Sequence, residues 1–88
     1  MAPKLHSRKL MENQITAEAQ ALLVGRKIRR VRYMTEAEAH EEGWNGRPLR
    51  IELDSGAVLY AGADEEGNDA GALFGHVAGD HFCFGRFY

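Results

Sequence analysis

Leu49-Arg50-Ile51-Glu52-Leu53-Asp54-Ser55-Gly56-Ala57-Val58-Leu59-Tyr60-Ala61 decides how this chain folds. A strand turns successive side chains to opposite faces, so the alternation of Leu49, Ile51 and Leu53 with Arg50, Glu52 and Asp54 gives one apolar and one charged face. Ser55-Gly56 is turn chemistry, and Ala57 to Ala61 is a second apolar run. Together they predict an antiparallel hairpin over 49–61. A two-stranded hairpin is not stable alone, so the remainder must extend it with further strands and cover it with helices.

Upstream, Lys27 to Met34 interleaves β-branched and aromatic residues with charge and reads as a strand. Neither of its faces is uniformly apolar, and basic side chains of this kind belong on a sheet edge. Thr35-Glu36-Ala37-Glu38 is a capping box that opens a helix of about two turns, with Gly43 at the left-handed C-terminal position and Trp44 folding back on the last turn. Further upstream, Ile15, Ala19, Leu22 and Leu23 fall on one helical stripe, with Asn13 or Thr16 as N-cap and Gly25 as stop. That stripe should pack on the sheet. Residues 1–12 lack periodicity and read as a mobile arm, so a single α+β domain spans 13–88.

Downstream, Ala70 to Phe74 reads as one helical turn capped by Asn68 or Asp69 and ended by Gly75. Ala78-Gly79-Asp80 turns the chain, and His81 to Tyr88 reads as a final, strongly apolar strand. The expected architecture is α+β, with one antiparallel sheet of three to four strands or a strongly bent half-barrel. The N-terminal helix packs on the sheet, and the second short helix sits beside Trp44.

A chain of 88 residues buries only about 60–65% of the surface that its unfolded form exposes, which favours a shallow groove or a subunit boundary over an enclosed pocket. No apolar run approaches a membrane span, and no signal-like block follows Lys4, Arg8 and Lys9. The single cysteine, Cys83, agrees with a reducing, cytoplasmic setting. The net charge of −2 hides a segregation: residues 1–33 carry eight Lys or Arg against two acids, and residues 34–88 carry three Arg against eleven acids. Opposed halves attract each other within one fold or between copies. With the apolar terminal strand, this points to a homo-oligomer, a dimer first.

Three groups of side chains carry candidate chemistry. Asp64, Glu66, Asn68 and Asp69 place oxygen ligands in an acidic loop that suits Ca²⁺ or Mg²⁺, although the EF-hand glycine and terminal glutamate are out of position and the same residues suit a solvated turn. His76, His81 and Cys83 lie close in sequence, and His40 can join them, but their spacing matches no zinc signature. Cys83 beside a histidine also suggests a thiolate nucleophile, against which stands a thiol packed between Phe82 and Phe84. Arg26, Lys27, Arg29, Arg30 and Arg32 form the charge footprint a phosphate backbone needs, while the eleven later acids offer nearer partners. Trp44 with Arg47 can line a ligand groove, or pack in the core.

Gly25-Arg26-Lys27-Ile28, Val31 to Thr35, Glu38-Ala39, Gly43-Trp44, Arg47-Pro48-Leu49 and Asp64 to Gly75 give residues 22–75 a resemblance to a group of short bacterial proteins of unassigned activity, some encoded in mobile gene cassettes. The resemblance implies a bacterial, soluble, single-domain protein and brings no catalytic residue with it. The expectation is therefore a non-enzymatic binding or accessory protein acting as a homo-oligomer, with an unknown small molecule or protein as further partner and no cofactor. Asp64, Glu66, Asn68, Asp69, Trp44 and His76 are its candidate ligand-binding residues. The alternatives are a small enzyme or metal-dependent binder using residues 64–69 with the nearby histidines, and nucleic-acid binding through residues 26–32.

Overall fold

The structure is a computed structural model and describes residues 2–62 and 70–87. The elements follow as α1 (Ala2–Leu23), β1 (Ile28–Tyr33), α2 (Glu36–Glu41), β2 (Leu49–Leu53), β3 (Val58–Ala61), β4 (Leu73–Val77) and β5 (Asp80–Phe84). All five strands form one antiparallel sheet in chain order, an α+β meander with α2 inserted after its first strand. The expected hairpin is its centre, with Arg50 opposite Tyr60 and Glu52 opposite Val58. Its three-residue loop closes where the Gly56 N–H donates to the Leu53 carbonyl at 3.0 Å and the Leu53 N–H to the Ala57 carbonyl at 2.9 Å. As expected, β1 is an edge strand.

Five strands stand where three to four were expected, because the helical turn expected over Ala70–Phe74 does not form among the described residues. Leu73–Val77 is a strand instead, paired with β3 on one side and β5 on the other. Gly75 does not end a helix. It is buried in mid-strand, where an added Cβ would run into the Val58 carbonyl oxygen and the Phe82 ring. A strand glycine often marks such a close approach, and here the Phe82 ring occupies the space a side chain would fill. The link from β4 to β5 is a two-residue turn, Ala78-Gly79, with φ of 50° and 84°. Positive φ at both central positions matches the right-handed twist of the flanking strands and fixes their register. The last strand ends at Phe84, short of the expected run to Tyr88, and Tyr88 lies outside the described residues.

Partners directly opposite each other share a sheet face. One face carries Arg30, Arg32, Arg50, Glu52, Val58, Tyr60, Phe74, His76, His81 and Cys83; the other carries Val31, Tyr33, Leu49, Ile51, Leu59, Leu73, Phe82 and Phe84. The core lies on the first face, where α2 and Trp44 cover it: Met34, Ala39, Val58 and Tyr60 are buried, with Trp44 and Phe74 packed against them. α2 begins and ends as its sequence dictates. Thr35 accepts from the Glu38 N–H while the Glu38 side chain accepts from the Thr35 N–H, and Gly43 and Trp44 donate to the carbonyls of His40 and Ala39 in a Schellman closure.

α1 starts at Ala2, a full eleven residues before the expected cap region at Asn13, so the segment read as an arm is helical. Pro3 falls in its first turn, where a missing N–H costs nothing, and Lys, Leu, Arg, Met, Glu and Gln follow without a breaker. The expected stripe of Ile15, Ala19, Leu22 and Leu23 is half-buried. It does not seal against the sheet: Ile15 and Leu22 face Val77, Phe82 and Phe84 across an open groove of about 350 Å³. Side chains 8–14 are exposed. A helix of 22 residues is about 33 Å long, and the radius of gyration of 14.9 Å exceeds the roughly 12 Å of a compact chain of this size.

Candidate functional site

The polar face of the sheet gathers the chemistry, and at the β1 edge that chemistry is a network of arginines and two glutamates. Arg32 forks onto Glu38 with Nη1–Oε1 and Nη2–Oε2 hydrogen bonds of 2.8 and 2.9 Å, and Arg50 Nη1 donates to the same Oε2. Glu52 is buried in the neighbouring row and accepts from Arg30 Nη2 at 2.9 Å, with Arg50 Nε at 3.2 Å and Arg32 Nε at 3.6 Å. The register explains the cluster, since Arg30 stands opposite Glu52 and Arg32 opposite Arg50, while the α2 capping box swings Glu38 over the latter pair. The Arg32 hydrogen bond, helped by the Thr35 N–H, holds the Glu38 carboxyl well below the usual range. The Arg30 hydrogen bond lowers the Glu52 carboxyl pKa against the opposing effect of burial.

This network engages part of the basic strand. Of the five cations read as a phosphate footprint, Arg30 and Arg32 are engaged by Glu52 and Glu38, and Arg29 reaches Glu52 at 4.0 Å. Arg26 and Lys27 form no ion pair with a described residue.

Toward β5 the same face turns aromatic. Trp44 meets Tyr60 and Phe74 edge-on, at ring-centroid distances of 5.7 and 5.3 Å. The Tyr60 hydroxyl donates to Glu42 Oε1 at 2.6 Å, and burial, then this carboxylate, pushes its pKa up. Glu42, Tyr60, Phe74 and His81 wall an open groove of about 370 Å³. Trp44 borders a different groove of about 400 Å³, with His40 and Arg47. Trp44 thus packs against the core, as one of its two expected readings has it, and also borders a groove. His76 stands opposite His81, ring centroids 5.5 Å apart, and its imidazole pKa is lowered by burial and then by the Arg50 and His81 charges.

Asp64, Glu66, Asn68 and Asp69 lie outside the described residues. No group of three His, Cys, Asp or Glu able to hold a metal occurs among the residues described. Cys83 is exposed, which corrects the expectation of a thiol packed between two phenylalanines. Strand alternation is the reason: Phe82 and Phe84 turn to the apolar face while Cys83 turns to the polar one. The roles of Glu42, Glu52, Arg50 and Tyr60 were not foreseen, nor were the arginine partners that Glu38 holds beyond its expected capping box, although the Arg50 and Glu52 alternation in the central hairpin marks the face on which they meet.

Among the described residues no helix is long and apolar enough to cross a membrane. No family model, curated protein or solved structure matches the chain.

Proposed function

We propose that the protein is a small non-enzymatic binding or accessory protein that works in the cytoplasm as a homodimer, its two copies stacking the open apolar faces of their sheets. The observation that carries this is the row at the β1–β2 side of that face. Ile28, Val31, Tyr33 and Leu49 are 61, 48, 62 and 43% exposed, with Tyr33 directly opposite Leu49 and Val31 opposite Ile51. Single exposed apolar residues are ordinary, but a contiguous row across two strands marks an interaction surface. Two such faces pack about 10 Å apart with interdigitating side chains, as in a sandwich. Leu10 and Met11, each 54% exposed on α1, add apolar surface for the same purpose.

Binding, rather than catalysis, fits the polar face. Glu38 and Glu52 are held as carboxylates by arginines, and the Tyr60 hydroxyl is tied to Glu42, so these groups are poorly placed to exchange protons near neutrality. The resemblance of residues 22–75 to short bacterial proteins supports a source of the mobile-cassette kind as part of the same proposal.

Light scattering tests it. The expected mass across 10–500 µM protein, a range of about 10⁻⁵ to 10⁻³ M within which a modest interface assembles, is about twice 9.8 kDa. The double substitution Val31→Glu, Tyr33→Glu should return the monomer mass with unchanged far-ultraviolet circular dichroism. A wild-type monomer throughout that range would reject the proposal.

A further inference from the structure

The terminal hairpin brings two imidazoles together on an open surface, independently of the apolar face just described. His76 of β4 and His81 of β5 are register partners on the polar face, joined through the two-residue Ala78-Gly79 turn. Their ring centroids are 5.5 Å apart with planes tilted by 58°. An imidazole nitrogen binds a borderline divalent ion at about 2.0–2.1 Å, so two rings that share one tetrahedral ion have centroids about 5 Å apart. The two distances agree to within the reach of a side-chain rotation.

We propose that His76 and His81 form a bidentate chelate for a borderline divalent transition ion such as Zn²⁺. The short hairpin fixes the register of its strands, so the two ligands are positioned before the ion arrives and little ordering is left to oppose binding. His81 is exposed and His76 half-buried, which gives the ion access from solvent. Charges around the pair are mixed: the Arg50 cation opposes an ion, and the Glu42 and Glu38 carboxylates favour it. Cys83, on the same face, does not complete a set of three among the described residues. Two protein ligands leave coordination positions open, and His81 lines the groove of about 370 Å³ beside Glu42 and Tyr60 into which a metal-held ligand would project.

Zinc alone is the probe. In a titration at pH 7.5 followed by imidazole nuclear magnetic resonance, the His76 and His81 signals should shift together and saturate at one ion per chain. His81→Ala changes an exposed side chain, so the fold should survive, and zinc affinity should fall at least tenfold. A variant with His6→Ala and His40→Ala should bind as the wild type does. The proposal is overturned if zinc leaves both hairpin histidines unshifted, if His81→Ala binds as tightly as the wild type, or if the His6 and His40 substitutions remove the binding.

Discussion

At the scale of single residues, Glu38 ties a helix to the sheet, because it closes the α2 capping box and receives both Arg32 and Arg50. Its carboxyl titrates lower in the fold than the ordinary value of about 4.3 in an unfolded chain. Between those two values the unfolded chain binds more protons than the folded one, so the stability that Glu38 contributes is present above about pH 5 and is lost as the pH falls. Urea midpoints at pH 7, 5 and 3 should therefore decline toward acid, and Glu38→Gln should start lower at pH 7 and decline less. Two positions in the terminal hairpin act through the backbone. Gly75→Ala forces a methyl group against the Val58 carbonyl and the Phe82 ring, and should cost about 1–3 kcal/mol in urea unfolding. Ala78 is the described non-glycine residue with positive φ. Ala78→Asn supplies the Asn-Gly pair that this turn prefers and should raise stability by about 0.5–1 kcal/mol, read as a higher urea midpoint at unchanged slope.

At the scale of elements, α2 is six residues long and too short to persist alone, so its end contacts decide its position. Thr35→Ala removes the hydroxyl that accepts the Glu38 N–H and should cost about 1 kcal/mol. It should also loosen Trp44, whose N–H closes the other end of the helix on Ala39, and a red shift of tryptophan fluorescence would report that. The signals for α2 and for the central hairpin were plain in the sequence because both are local: a capping box within four residues, and alternation around a turn. β4 was not legible for a tertiary reason. Leu73 and Val77 point to one face and Phe74 and His76 to the other, and the site between the first two holds Gly75 so that a ring from β5 can lie on it. Apolar residues on both faces and a glycine in the middle erase the period of two. The His76–His81 pairing was lost with it, although a strand on each side of the recognised Ala78-Gly79 turn implies that register. The first half of α1 was missed for the opposite reason. Exposed side chains leave no apolar stripe to read, as Leu10 and Met11 illustrate among the described residues.

At the scale of the whole molecule, burial is uneven in a way that bears on assembly. The buried cluster of Met34, Ala39, Val58 and Tyr60 lies beneath α2 and Trp44, whereas the apolar face is half covered at β5 by the helical stripe, buried at Leu53 and open at Ile28, Val31, Tyr33 and Leu49. A fold whose larger apolar face is finished by a second copy gains stability by mass action, since the unfolded chains are monomers and the folded ones are pairs. For such a pair, unfolding cooperatively to two separate chains, each tenfold rise in protein concentration adds about 1.4 kcal/mol. Spread over the unfolding entropy of two 88-residue chains, this becomes roughly 3–4 °C of midpoint per tenfold. Calorimetry at 20 and 200 µM, concentrations about tenfold apart within the assembling range, should show that rise in the wild type. With Val31→Glu, Tyr33→Glu the two scans should coincide at a lower temperature. If the wild-type midpoint also holds still, the open face is not completed by a second copy.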